Sequence, residues 1–290
     1  EKLIKFREEN YNEKENSYKE GSLKLIDKWI INKTNKLIAE ITTNIENYDL
    51  GIAIDKIYSF IWNEFCDWYI EFAKINLYDG TDEDKIRTAY VLNEVFSTCL
   101  KLLHPFMPFV TTEIYSNLVN YENKDLMVSK WPEPKEVFEY DSQEEVIEKI
   151  KEIIVEIRNI RSTKNIHPSK KAELILVTNK YEKELKEANG VLLKLGFSNK
   201  VTIQKDKTGI PEDSIHIVTD GIELYMPLKG LIDLEEEKKR IEEERKRLEA
   251  EVARCEKMLS NPGFMSKAPQ TKIDEEKEKL AKYKEMLKNI

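Results

Sequence analysis

The chain has 290 residues, room for about two domains of ordinary size, and its 35% of charged residues exceeds the usual share of about a quarter, so part of it must be a long solvated element. A net charge of −8 excludes a uniformly basic nucleic-acid binder but not one with clustered cations, because a local patch sets the field that a phosphate meets. There is no apolar run of roughly 20 residues, no signal-peptide pattern, and no close spacing among Cys66, Cys99 and Cys255, which argues against a membrane span, secretion, a disulfide framework or a zinc site and leaves the cytoplasm as the expected location.

From Ser22 to about Val119 the apolar residues recur at helical spacing. Ile26, Trp29, Ile30, Leu37, Ile41 and Ile45 make the stripe of a first helix. Asp49, a good N-cap residue, opens a second, with Ile57, Ile61, Phe65, Trp68 and Phe72 on one face, and Asp79-Gly80 breaks it. Thr81-Asp-Glu-Asp84 reads as a capping box for a third helix that turns Leu92, Val95, Phe96, Cys99 and Leu103 inward. His104-Pro105 stops it, because the residue before a proline is pushed out of the α region. Pro108 suits the first turn of a fourth helix carrying Val110, Ile114 and Leu118. Four antiparallel helices with short connections make a bundle.

Trp131-Pro-Glu-Pro134 marks an extended linker, and Ser142-Gln-Glu-Glu145 reads as a second capping box before a helix with Val146, Ile150, Ile153, Ile154 and Ile157. The period then changes to strands at 172–177, 201–204, 215–219 and 222–226, with a helical stretch over 181–195 and a two-residue hairpin signal at Asp220-Gly221. Beyond Pro227, Leu234, Ile241, Leu248 and Cys255 fall seven apart, with Leu231, Val252 and Leu259 at the partner heptad position. Ile273, Leu280, Tyr283, Leu287 and Ile290 repeat the spacing after a break at Asn261-Pro-Gly263, while Lys238 and Arg245 at seam positions weaken the seam. The expected fold is mainly α: a lead-in of unassigned role over 1–21, an antiparallel helical bundle with an extended tail over 22–140, a small α/β linking domain over 141–228, and a C-terminal antiparallel coiled-coil hairpin over 229–290. A hairpin that closes within one chain makes a monomer the expected state.

Periodicity alone names no function; particular residue strings do. Ile61-Trp-Asn-Glu-Phe-Cys-Asp-Trp-Tyr-Ile70, Leu102-Leu-His-Pro-Phe-Met-Pro-Phe-Val110 with Thr112-Glu-Ile-Tyr115, and Met127-Val-Ser-Lys-Trp-Pro132 resemble the markers of the anticodon-binding bundle of class I aminoacyl-tRNA synthetases, and the first is closest to valyl-tRNA synthetases. Arg158-Asn-Ile-Arg161 with Asn165-Ile-His-Pro-Ser-Lys170, and Asn261-Pro-Gly-Phe264 with Lys267-Ala-Pro269, resemble the link and the coiled-coil arm that follow in the bacterial-type valyl enzymes. The resemblance covers nearly all of Trp29 to Ile290 and leaves the first twenty or so residues aside. It implies an anticodon-binding domain followed by an arm that supports the tRNA elbow, with valine tRNA and not DNA as partner. Such enzymes bind ATP, with magnesium, through HIGH-type and KMSKS-type motifs. Neither motif nor a Gly-rich phosphate loop occurs here, so no cofactor is expected in these residues and the opening at Glu1 reads as a cut boundary that leaves the catalytic and editing domains outside. Isoleucyl and leucyl enzymes share the bundle, and a coiled-coil assembly protein with no RNA ligand is the reading from another class.

Three groups of residues are candidates for RNA contact. In the arm, Arg245, Arg247, Arg254, Lys257, Lys267 and Lys272, with the apolar Phe264 among them, concentrate a basic excess at the turn end and are expected at the tRNA elbow. In the link, Arg158, Arg161, Lys164, Lys170 and Lys171 run without an acidic neighbour; cations at a helix C-terminus complement its dipole, which accounts for the arginines but not the later lysines. On the first helix, Lys28, Asn32, Lys33 and Lys36 are candidates for the anticodon by expected exposure and residue type only. Trp62, Phe65, Trp68 and Tyr69 could stack on bases, but the common face of Phe65, Trp68 and Phe72 points to core packing. His104, His167 and His216 stand apart from one another and make no catalytic or metal set.

Overall fold

The computed structural model describes residues 1–12, 17–19, 21–119, 125–228, 231, 234–261 and 269–288, with the side chains of 137, 234–241, 244 and 288 left aside. It forms two compact units, Glu1–Pro227 and Leu228–Ile290. The residues expected as a bundle and as a separate linking domain therefore lie in one unit.

Within the first unit, α1 (Lys2–Asn10) and a short pairing of β1 (Tyr11–Asn12) with β2 (Ser17–Tyr18) precede the bundle. The lead-in is thus ordered against it: the Phe6 and Tyr90 rings lie 5.1 Å apart and the Tyr18 and Tyr90 hydroxyls 3.2 Å apart. The bundle is α2 (Leu25–Glu46), a continuous helix made of α3 (Leu50–Ser59), a π-helical stretch (Phe60–Tyr69) and α4 (Ile70–Asp79), then α5 (Asp82–Leu103) and α6 (Pro108–Tyr115). Thr81 and Asp84 form both halves of the expected capping box, and α5 stops before His104-Pro105. Asp49 occupies the N-cap position of α3, but only its backbone carbonyl takes part, accepting from the Ala53 amide. Ser142 is no cap either: α7 (Asp141–Thr163) starts one residue earlier.

The π-helix corrects the expected aromatic face. With i→i+5 bonding each turn holds an extra residue, so the inward phase slips relative to 3.6-residue spacing. Phe65, Tyr69 and Phe72 are buried, Trp68 is half-buried, and Trp62 is exposed, its ring parallel to that of Tyr58. Trp29 fills the space beside Tyr69 and Phe72. Across the core, Arg87 forms a buried ion pair with Asp27 at 2.8 Å and reaches Asp84 at 2.7 Å. Burial still raises the Asp27 pKa against the pull of Arg87.

The α/β part is built by α7, β3 (Ala172–Val177), α8 (Glu182–Glu187), α9 (Asn189–Leu195), β4 (Ser198–Gln204), β5 (Ser214–Thr219) and β6 (Ile222–Pro227), with sheet order β4-β3-β6-β5. The β3–β4 pair is parallel across the α8–α9 connection, and β5–β6 is the expected hairpin. Gly221 at its turn has φ +83°, and a Cβ there would sit 2.9 Å from the Tyr181 ring, so glycine is required twice over. One face of α7 buries Val146, Ile147, Ile150, Ile153, Ile154 and Ile157; another meets α2 through charged groups.

The second unit is the expected hairpin of two helices, α10 (Leu234–Leu259) and α11 (Gln270–Lys288). Leu248, Cys255 and Ile273 are buried in its seam. Glu276 is buried there too, 3.5 Å from the Cys255 sulfur, which the heptad pattern did not reveal.

Lys151, almost buried, is shared by Glu64 at 2.8 Å and Glu148 at 2.9 Å. Lys151→Met should cost about 2 kcal/mol at neutral pH, less than a fully buried pair because both carboxylates keep some water. Burial opposes ionisation of Glu148, but hydrogen bonds from Lys151 and Lys33 outweigh it and lower its pKa. A carboxylate with a depressed folded pKa stabilises above its unfolded value of about 4.3, and that contribution is lost as pH falls through the folded value. Urea titrations should therefore show the mutant's deficit shrinking between neutral pH and about pH 3; an undiminished deficit would mean that lost packing, not charge, is responsible.

Candidate nucleic-acid interface

Of the four candidates on α2, Asn32 is buried, Lys28 and Lys33 are half-buried, and Lys36 is exposed while paired with carboxylates of α7. The Asn32 amide donates to Asp141 at 3.0 Å and Glu144 at 2.6 Å, and its carbonyl oxygen accepts from the Tyr140 backbone at 2.9 Å. Lys33 bridges Glu148 at 2.9 Å and Glu64 and Glu144 at 3.5 Å. Lys36 binds Asp141 at 2.7 Å and Glu144 at 2.8 Å. Lys28 stands 5.5 Å over the Tyr140 ring. The expected exposure is corrected for Asn32, which is buried; Lys33 and Lys36 join two helices through ion pairs. Nothing in a single helical pattern distinguishes a wet polar face from one that a helix 110 residues later covers with carboxylates.

The link is divided. Arg161, counted among the phosphate candidates, is buried; its guanidinium donates to the carbonyls of His167 at 2.9 Å and Lys170 at 2.6 Å and lies over the Phe197 ring. Burial lowers its pKa. It is an internal brace of the turn, whose left-handed residue is Asn165 at φ +49°. The amide of Ile166 closes that turn on the Arg161 carbonyl at 2.8 Å, satisfying one of the helix-end carbonyls. Arg158, Lys170 and Lys171 are exposed and Lys164 half-exposed. Arg158 lies 5.8 Å over the Trp68 ring, so the half-buried tryptophan and this arginine form one amphipathic patch.

In the arm, Arg245 pairs with Glu249 at 3.4 Å, and Arg254 with Glu251 at 2.8 Å and Glu276 at 3.7 Å. Arg254 is thereby a strut of the hairpin. Arg247, Lys257 and Lys272 are exposed and have no carboxylate partner among the described residues. Phe264 and Lys267 lie outside the described residues. His216 is not isolated as its sequence position suggested: its Nε2 is 2.6 Å from Glu223, and the ring stacks on Tyr225. Glu223 is held down to about 2 by hydrogen bonds from Lys207 and Tyr225. No group of three or more His, Cys, Asp or Glu among the described residues could hold a metal ion. Among the described residues the link thus sets exposed cations beside a half-buried tryptophan, and the arm carries exposed cations of its own, groups that suit a phosphate backbone.

Two family models match the chain in the expected order. Residues 27–176 match the anticodon-binding domain of tRNA ligase, and residues 233–290 match the valyl tRNA synthetase tRNA binding arm. Valine–tRNA ligase of Clostridium acetobutylicum is 42% identical over 268 residues, which is 92% of this chain and 30% of that protein. Those of Clostridium tetani and Carboxydothermus hydrogenoformans are 44% and 38% identical, over 92% and 91% of this chain and again 30% of each relative. The chain belongs to the valine–tRNA ligase family. It spans about 30% of the length of the family members it matches. Residues 177–232, with most of the sheet, fall between the two family models, and α1 with its short hairpin precedes the first.

The two link arginines should part company on mutation. Arg161→Met leaves two turn carbonyls without their donor and should cost about 2 kcal/mol in urea titrations. Arg158→Gln should stay within about 0.5 kcal/mol. Equal losses would contradict the separation of brace from surface.

Proposed function

We propose that this chain is the tRNA-recognition part of valine–tRNA ligase. In this reading the first unit holds the anticodon stem and loop, the arm takes the elbow, and the parent enzyme joins valine to its tRNA with ATP and magnesium handled outside these residues. The observation that carries the reading is the conjunction of both matched family segments with exposed cations that no carboxylate among the described residues claims: Arg247, Lys257 and Lys272 in one, Arg158 and Lys171 in the other. The arm favours a valyl over an isoleucyl or leucyl relative. The hairpin closes on itself through Lys284 and Glu256 at 2.7 Å, which supports a monomer, and no helix among the described residues is long and apolar enough to cross a membrane.

Phosphate contacts carry little sequence information and release counterions, so each one lost lowers the log–log salt slope by about 0.7–0.9. Arg247→Glu, Lys257→Glu and Lys272→Glu together should weaken binding of valine tRNA and other tRNAs alike and flatten the salt dependence. Preference for the valine anticodon over a swapped one should survive. Titrations over a salt series check this. Undiminished affinity at every salt concentration would make the arm's cations mere solvated groups, and loss of only the anticodon preference would interchange the roles of the two units.

A further inference from the structure

One end of the bundle exposes large apolar side chains, and the lysines that flank it in the chain are engaged, Lys56 with Glu40 and Lys101 with a partner of its own. α2 and α5 run in the same direction: Lys24 meets Asp84 and Asp27 meets Arg87 at their first turns, and Ile38 lines one cleft with Thr98 and Lys101 further along. Their C-terminal ends therefore lie together, with the starts of α3 and α6 beside them. There Tyr48 is 87% exposed and Phe109 90% exposed, accompanied by the exposed Leu50, Ile52, Met107 and Val110. Scattered exposed apolar residues need no explanation, but a cluster at one end marks a contact surface.

The aromatic presenters are held in place. Tyr48 occupies the left-handed position after α2 at φ +63°, where glycine is usual, and the turn is closed by the Asp49 amide on the Asn44 carbonyl at 2.8 Å. An aromatic residue is strained there, and such strain is retained at functional positions. The α5–α6 corner is braced by His104 Nδ1 and the Thr111 hydroxyl at 2.9 Å, with that hydroxyl donating to the Met107 carbonyl at 2.8 Å.

Charge decides what the surface meets. Residues 43–55 and 104–119 contain no lysine or arginine, while Glu46, Asp49, Asp55 and Glu113 fall within the same stretches. RNA would bring phosphates to these carboxylates with only the already engaged Lys56 and Lys101 nearby to neutralise them. We infer that the apolar end of the bundle is a protein-docking surface whose occupant is the remainder of valine–tRNA ligase, the part of the relatives' length that this chain does not span. The inference rests on the family reading above and on RNA meeting the chain elsewhere. It assigns Tyr48 and Phe109 as anchors and explains why a tyrosine stands where glycine would fold more easily.

The test mixes this chain with the Clostridium tetani relative from which the matched 30% has been removed, its folding checked by valine-dependent pyrophosphate exchange. Calorimetric titration should show binding. Phe109→Asp should weaken it at least tenfold while leaving the affinity for valine tRNA unchanged. Tyr48→Gly should weaken docking yet raise the urea midpoint of the isolated chain, because it relieves the left-handed strain. Absence of binding by the wild type, or full binding by Phe109→Asp, would overturn the inference. So would a loss of tRNA affinity in Phe109→Asp, which would give the surface to RNA, or a dimer of the wild-type chain that Phe109→Asp dissociates, which would give it to a second copy. Failure of the wild type to bind tRNA would instead count against the proposed function and leave docking to be judged by its own titration.

Discussion

The seam of opposite charges between α2 and α7 is the constraint from which the first unit takes its form. Trp29 donates its indole N–H to Glu148 at 3.1 Å, and Lys33 and Lys151 converge on the same carboxylate. Asn32 is satisfied by α7 carboxylates and a backbone amide. Half-buried charges are tolerated only when each has its partner, so α7 can lie on α2 in one register. Because the other face of α7 carries the isoleucines that cover the sheet, the same register places the α/β part against the bundle. Lys194 with Asp79 and the Leu25 amide with Glu187 add further links.

The seam also settles what the cations can do. A lysine that already serves two or three carboxylates has little left for a phosphate, and an arginine whose guanidinium is spent on turn carbonyls has none. The chain's charge is thereby sorted into braces, such as Lys33, Lys36, Arg161 and Arg254, and free groups, such as Arg247, Lys257, Lys272 and Lys171. A protein of net negative charge can still present a positive face when its carboxylates are drawn inward to hold helices together.

Much of this architecture was legible in the residues because local rules agree with the fold. The Thr81 capping box, the stop at His104-Pro105, the Asp220-Gly221 hairpin and the heptads around Leu248 each depend on neighbours within a few positions. The failures share one cause. The π-helical phase that buries Tyr69 and half-exposes Trp68, the covering of Asn32 by Asp141 and Glu144, and the inward turn of Arg161 all depend on groups elsewhere in the chain or on a helix type without a sequence period of its own. Residue type and an assumed exposure named lysines and asparagine on α2 as readers of RNA. They could not see α7. The apolar end was hidden for the opposite reason: Val110 was expected inside a helix of the bundle, and it is exposed.

The account holds that RNA meets the free cations and avoids the apolar bundle end. Backbone hydrogen exchange of the chain with and without valine tRNA tests this most directly, since protection is read segment by segment. Slowed exchange is predicted over 158–171 and at the ends of α10 and α11 near Lys257 and Lys272, with 48–52 and 107–110 unchanged. Protection concentrated at 48–52 and 107–110, with the cationic segments unaffected, would contradict the account.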